Sequence, residues 1–168
     1  MNKVSVARLA ALALLALGSL ALANAQTNSP ACNNQLIAGN YGFTVQGTKL
    51  GGLGPVGQQV GIALTYFDGQ GGLSQIDTVT VAGNVVADFT HTPATGTYSV
   101  NPDCTGTFTI NFTDGRPPVV TSFVVVSNGN EIDTVVTSAG GKEGILATGS
   151  IGKRRFSWGW ARPSLRRE

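Results

Sequence analysis

Asp77 is the residue whose surroundings in the sequence most suggest acid-base chemistry. On an extended strand its side chain lies on the same face as three apolar ones, those of Leu73, Val79 and Val81. Apolar surroundings disfavour the charged form of a carboxyl group, which is how proteins prepare a general acid. Asp77 is therefore a candidate catalytic acid if that face lines a pocket, and an ordinary surface residue if it meets solvent.

Glu131 and Asp133 are further candidates for the same chemistry. They are two positions apart in the run EIDTVVTS, so a strand would project both from one face together with Val135 and Thr137. Glycosidases use two carboxylates on facing elements for their acid and base steps. A register shift of one residue would turn the whole strand over, so these acids can equally lie in solvent, which is the simpler interpretation.

The residues around the other possible catalytic or binding motifs argue against each of them. Residues 52–57 match G-x-G-x-x-G, but Pro55 interrupts the motif and no helical pattern follows, so we predict a loop and no cofactor. His91 is the only histidine and no G-x-S-x-G motif occurs, which argues against a serine hydrolase. Neither cysteine belongs to a C-x-x-C pair, so no metal site is predicted.

Residues 1–25 have the organisation of a secretory signal peptide. Lys3 and Arg8 supply positive charge, residues 9–22 are apolar, and residues 23–25 read Ala-Asn-Ala, a typical cleavage site. The apolar run is short for a membrane span, and no positive stop-transfer cluster follows it. We therefore predict an exported protein, periplasmic or secreted, whose mature chain begins after residue 25.

Export would place both cysteines in an oxidising compartment. An even pair there typically forms one disulfide, so we predict a bond between Cys32 and Cys104. Residues 26–39 have turn and coil composition and are predicted to be a leader that Cys32 ties to the domain. Cys104 lies in a Pro-Asp-Cys-Thr-Gly segment between two alternating runs, which predicts a hairpin corner rather than a reactive thiol.

Residues 40–155 are typical of a series of short strands separated by glycine-rich turns. Phe108, Ile110 and Phe112 alternate with polar residues, which is the period of half-buried strands. Eight or nine such runs, joined mostly by short loops, predict an all-β domain: a single antiparallel up-and-down β-barrel of about eight strands, with a β-sandwich as the alternative. An outer-membrane barrel would need aromatic girdles, and aromatic residues are only 7% of the chain.

The most specific block of the domain reads GTYSVNPDCTGT and covers residues 96–107. Together with NYGFTVQG, YFDGQGGLSQID, NEIDTVVTSAGG and GILATGSIGKR, it resembles a group of small exported bacterial proteins without an assigned activity. The resemblance covers residues 40–155, and the group is similar in pattern and size to allene oxide cyclase-like or calycin-like barrels. It implies a barrel around an apolar pocket, in which some such proteins cyclise a bound substrate, but a fold alone carries no function across.

A basic and aromatic tail follows the domain at residues 156–168 and departs from that resemblance. Trp158 and Trp160 are interspersed with glycine and alanine and followed by Arg162, Arg166 and Arg167. This mixture suits an anionic envelope surface, a strand that caps one barrel opening, or a solvated tail. We predict no specific nucleic-acid partner.

Three functions follow as hypotheses, and we favour binding over catalysis. The first is an exported β-barrel that binds a small apolar ligand through the alternating apolar residues Val60, Ile62, Leu64, Tyr66, Tyr98, Phe108, Ile110 and Phe112. The second is a cyclase- or isomerase-like enzyme that uses Asp77, Glu131 or Asp133 in the same pocket. The third is a structural or adhesive envelope protein in which the tail binds.

Overall fold

Strands make up nearly all of the domain, in agreement with the predicted all-β class. The computed structural model describes residues 31–89, 94–142 and 144–155. The described elements are two 3-10 helices, η1 (Asn34–Ile37) and η2 (Ser127–Gly129), and the strands β1 (Gly39–Lys49), β2 (Gly57–Phe67), β3 (Gly72–Val81), β4 (Asn84–Ala87), β5 (Ala94–Val100), β6 (Thr105–Asn111), β7 (Val119–Val126), β8 (Glu131–Ala139) and β9 (Leu146–Arg154).

The strands form one antiparallel sheet that closes on itself. Neighbours follow the order β2-β1-β9-β8-β7-β6-β5-β3-β4, and β2 also pairs with β3, which joins the two sides of the sheet. Eight strands therefore close an up-and-down barrel, and the short β4 lies beside β3. This confirms the predicted barrel, and the alternative of two stacked sheets is wrong because a single ladder runs around the whole domain.

One edge of β3 is shared by two strands. β5 pairs with residues 72–75 and β4 with residues 79–81. In the described part of the chain, Ile76, Asp77 and Thr78 have no ladder partner on that edge, and only β2 pairs with them from the other side. The ladder formed by the described residues is thus interrupted beside Asp77.

Aromatic side chains fill one half of the barrel interior. The Phe67 ring lies 4.9 Å from that of Tyr98 and 6.2 Å from that of Phe108, while Phe108 stacks on Phe123 at 5.7 Å. Tyr41 and Phe43 of β1 extend the same cluster. These rings alternate along their strands with outward residues that are mostly polar. This alternation explains why the period of two can be recognised in the sequence.

Two glycines make room for those rings. A Cβ atom at Gly152 would lie 2.2 Å from the Phe43 ring, and one at Gly106 would lie 2.3 Å from the Phe123 ring. Any larger residue at either position would displace an aromatic side chain from the core, so the size of the ring on one strand dictates glycine on its neighbour.

A segment before β1 closes the aromatic end of the barrel. Cys32 is bonded to Cys104 in the β5–β6 hairpin, as predicted from the sequence. Asn34 accepts a hydrogen bond from the Val100 amide at 2.8 Å, and Ile37 of η1 is fully buried. The described part of the predicted leader, residues 31–38, is therefore a plug at this end, which we call the closed end.

The predicted inward face of β2 is wrong. Val60, Ile62 and Tyr66 are 44%, 52% and 47% exposed and Leu64 is half-buried, because β2 turns the alternate residues inward. The inward residues are Gln59, Gly61, Ala63, Thr65 and Phe67. A register shift of one residue exchanges the two faces of a strand, and here the less apolar set faces the interior.

Several sequence predictions lie outside the described residues. The signal peptide, residues 26–30 of the leader, His91 and the tail at residues 156–168 belong to this group. Within the described ranges, no helix has the length and hydrophobicity that crossing a bilayer requires.

Candidate functional site

A cavity of about 640 Å³ occupies the barrel on the side away from the plug. Phe43 and Phe108, which belong to the aromatic cluster, form its floor. Its apolar wall comes from six strands, with Val45, Val79, Val81, Ile110, Val119, Val136 and Leu146 among the lining residues. Both the volume and the lining are typical of a pocket for a small, mainly apolar molecule.

The loop between β1 and β2 stands at the mouth of the cavity. It exposes Leu50, Leu53 and Val56, of which Leu53 is 96% accessible, and residues 51–55 line the cavity. The Lys49 ammonium donates a hydrogen bond to the carbonyl of Leu53, which fixes the loop against the end of β1. This loop covers the G-x-G-x-x-G match, and its irregular conformation agrees with the predicted loop.

An ion-pair network lies where the β6–β7 loop meets β3. The Arg116 guanidinium lies 3.4 Å from Asp77 Oδ1 and 2.8 Å from Asp114 Oδ2. The same group stacks on Phe112, with its central carbon 3.9 Å from the ring centroid. Arg116 therefore covers the interrupted part of the wall beside Asp77, and all four residues line the cavity.

Asp77 is the one predicted carboxylate that the fold places in the cavity. It faces inward with Leu73, Val79 and Val81, as its spacing indicated. Arg116 lies within 3.5 Å of both carboxylate oxygens, so the acid is held in an ion pair. Transfer of a proton from Asp77 to a bound molecule would first require Arg116 to move away.

Glu131 and Asp133 lie on the outer face of β8. Glu131 forms a surface ion pair with Lys153 at 3.6 Å, and Asp133 lies between Val124 and Ile151 in the outward row. The two acids do share one face, as expected, but their prediction as pocket residues is wrong. The inward residues of β8 are the alternate ones, which include Thr134 and Val136.

Polar side chains interrupt the apolar wall at defined positions. Thr134 and Ser150 share a hydrogen bond of 2.6 Å, and Thr65 donates to Gln75 at 2.8 Å. Thr148 is 4% exposed, yet its Oγ1 has no hydrogen-bond partner among the described residues. A buried hydroxyl without a partner is unusual and marks a place where a ligand atom could bind.

The predicted ligand-binding set is divided by the fold. Phe108, Ile110 and Phe112 line the cavity, whereas Tyr98 is buried beneath it in the aromatic cluster. The four β2 residues lie on the outer face. Some lining residues outside that set, such as Thr134 and Thr148, are polar, so hydrophobicity could not assign them. Phe43 and Val45 alternate with Gly42, Thr44 and Gln46 on β1, so the period of two could have identified them.

The described residues include no group of three histidine, cysteine or acidic side chains that could hold a metal ion. The chain matches no family model, and it shows no significant similarity to a curated protein or to a solved structure. The closed eight-stranded barrel is compatible with a calycin-like architecture. Membership of the group of exported bacterial proteins stays a prediction from the sequence.

Proposed function

We propose that this protein binds a small, mainly apolar molecule inside the barrel. The observation that carries the proposal is the 640 Å³ cavity, which is bounded by an aromatic floor, closed at one end by a disulfide-tethered plug and given its apolar surface chiefly by valine, isoleucine and phenylalanine. Burial of apolar surface contributes about 25 cal/mol per Å², so a molecule that fills such a cavity gains most of its binding free energy from the wall.

Two neighbouring valines of β8 allow a matched test. Val136 lines the cavity and Val135 is exposed on the outer face. With the uncharged fluorescent probe N-phenyl-1-naphthylamine, we expect saturable binding to the full chain with one site per molecule. Val136→Phe should weaken binding at least tenfold by filling the cavity, whereas Val135→Phe should leave it unchanged.

Equal effects of the two variants on probe binding would refute the proposal, since they differ only in the side of the wall that the added ring occupies. Thermal unfolding of both variants controls for loss of structure, because overpacking by a phenylalanine costs about 1–3 kcal/mol where no space exists. Failure of the probe to bind the wild-type protein would also refute the proposal.

The proposed place of action is an exported compartment. The signal-like residues 1–25 and the Cys32–Cys104 disulfide support it, since disulfides persist where the environment is oxidising. Intact mass measurement of the protein from its host's periplasm or medium should give a chain that begins at Gln26 and carries no free thiol. A full-length, reduced chain would count against export.

A cyclase- or isomerase-like activity is the second candidate, and it depends on Asp77 alone among the predicted acids. The placement of this carboxylate against the cavity favours it. Asp77→Asn would abolish such an activity while leaving probe binding intact. An unchanged turnover in that variant would exclude Asp77 as the acid.

The third candidate is an adhesive role for the basic aromatic tail at residues 156–168. Deletion of this segment should abolish sedimentation of the protein with vesicles containing anionic lipid, if the tail contacts the envelope surface. Equal sedimentation with and without the tail would dismiss this role.

A further inference from the structure

We propose that Gln59 and Thr148 form a polar subsite in the cavity wall that binds the single carbonyl oxygen of an otherwise apolar ligand. The proposal rests on the binding function proposed above and names the chemical class of the ligand. It follows from three features of the wall: the row that contains both residues, the glycine between them, and the position of the charges.

Gln59 and Thr148 lie in one row across three adjacent strands. Gly47 of β1 is the register partner of Gln59 on β2 and of Thr148 on β9. Two steps between neighbouring strands put the Cα atoms of Gln59 and Thr148 about 10 Å apart. Both side chains line the cavity, and they are 9% and 4% exposed.

Neither side chain has a hydrogen-bond partner among the described residues. Two other inward polar side chains differ in this respect, since Thr134 bonds to Ser150 and Thr65 to Gln75. Burial of an unpaired hydroxyl costs about 1–3 kcal/mol, and Thr148 Oγ1 is such a group, so a ligand atom that restores its bond is favoured at this row.

Gly47 puts no side chain of its own between Gln59 and Thr148. A Cβ atom at this position would lie 2.8 Å from Thr148 Oγ1 and 2.3 Å from the carbonyl oxygen of Ala147. Thr148 and the β9 backbone thus occupy the place of a side chain here, and the Thr148 hydroxyl lies over Gly47. A carbonyl oxygen fits between a hydroxyl donor and an amide donor, because it accepts two hydrogen bonds.

The charged lining residues do not belong to this row. Two cations, Lys49 and Arg116, and two anions, Asp77 and Asp114, form the charged part of the described lining. Arg116 is held by both carboxylates and belongs to the loop after β6, which is four strands away from β1 across the barrel. Lys49 lies two residues beyond Gly47 on β1, where its ammonium donates to the Leu53 carbonyl. The row itself therefore presents only neutral hydrogen-bonding groups, which suit a carbonyl oxygen.

The test uses two competitors of similar length, 2-nonanone and nonane, which displace N-phenyl-1-naphthylamine from the full chain with its disulfide intact. We expect Thr148→Val and Gln59→Leu each to weaken 2-nonanone about fivefold, the factor that corresponds to one net hydrogen bond, and to leave nonane unchanged. Thr148→Ser keeps the hydroxyl, and Gln58→Leu makes the same change on the outer face, so both controls should retain wild-type affinity for the ketone.

The two proposals fail in different ways. If the fluorescent probe and both competitors fail to bind the wild-type protein, the cavity is not a binding site and both proposals fall. If the probe binds but 2-nonanone does not, or if Thr148→Val and Gln59→Leu leave the ketone unchanged or weaken ketone and alkane alike, the polar subsite is overturned and the apolar binding function stands.

Discussion

Arg154 at the end of β9 donates from Nη2 to the hydroxyl of Tyr41 on β1 at 2.7 Å. Its Nε donates to the Gly129 carbonyl at 3.0 Å, and its Nη2 also donates to the carbonyl of Leu36. One side chain therefore connects the barrel wall to both 3-10 helices at the closed end. The floor below the cavity depends on this connection, because Tyr41 packs edge-on against Phe67 at 5.5 Å.

Removal of the Arg154 guanidinium should loosen the closed end. Arg154→Met keeps most of the apolar stem but leaves the Leu36 carbonyl and the Tyr41 hydroxyl without their donor and the Gly129 carbonyl with only the Tyr41 hydroxyl, so we expect a loss of about 3 kcal/mol in the free energy of unfolding. Urea denaturation measures the change. Lys153→Met removes an exposed cation one residue earlier and should alter stability by less than about 0.5 kcal/mol; equal effects would contradict the assigned role of Arg154.

The Cys32–Cys104 disulfide should contribute substantially to stability. Its cysteines are 72 residues apart, and closure of a loop of that size lowers the entropy of the unfolded chain by an amount worth about 4 kcal/mol. The Cys32→Ser/Cys104→Ser double variant should lose stability by that order in urea denaturation. Unchanged stability would mean that the plug is held by its hydrogen bonds and by Ile37 alone.

Stability should fall at alkaline pH through the buried tyrosines. Burial raises the pKa of Tyr41 and of Tyr98 above the usual value of 10.0, although hydrogen bonding from Arg154 opposes this at Tyr41. The folded state therefore favours the neutral phenols, so their contribution is fully present below pH 10.0 and is lost as pH rises through the folded-state pKa values.

Urea denaturation between about pH 8 and pH 11.5 should show this loss, and Tyr98→Phe should make the pH dependence shallower. A steeper or identical slope in the variant would show that other groups govern alkaline unfolding.

The unpaired Thr148 hydroxyl should destabilise the ligand-free protein. Thr148→Val replaces it by a methyl group of similar shape and should raise the free energy of unfolding by about 1 kcal/mol. Thr134→Val is the matched comparison, because its hydroxyl is bonded to Ser150, and it should lower stability by about 1 kcal/mol. A destabilising Thr148→Val would show that this hydroxyl has a partner in solution.

The sequence was sufficient for the class of fold and for the strands with one strongly apolar face. In β6 the inward residues Phe108 and Ile110 alternate with threonines, so hydrophobicity and burial agree. The disulfide was equally predictable, because residues 1–25 predict export and two cysteines in an oxidising compartment leave one pairing. The Pro-Asp-Cys-Thr-Gly corner followed from local turn chemistry, and Cys104 takes a positive φ of 68° there.

The inward face of β2 could not be predicted from its own residues. Ile62 and Val60 are more apolar than Gly61 and Gln59, yet they lie outside. Val79 of the neighbouring strand fills the inward space beside Gly61, since a Cβ atom at Gly61 would lie 2.9 Å from Val79 Cγ2. A glycine therefore fits at this inward position. What a strand can place inside a barrel depends on the side chains that the adjacent strands already direct there.

In the candidate site, too, some features follow from the sequence and others only from the tertiary structure. Alternation along the chain determined that Asp77 shares a face with Val79 and Val81, and that Glu131 shares one with Asp133. Only closure of the barrel decided that the first face lines a cavity and the second lies on the outer side of the wall. Local periodicity fixes which residues share a face, whereas the side of the wall on which each face lies depends on pairing between strands far apart in sequence.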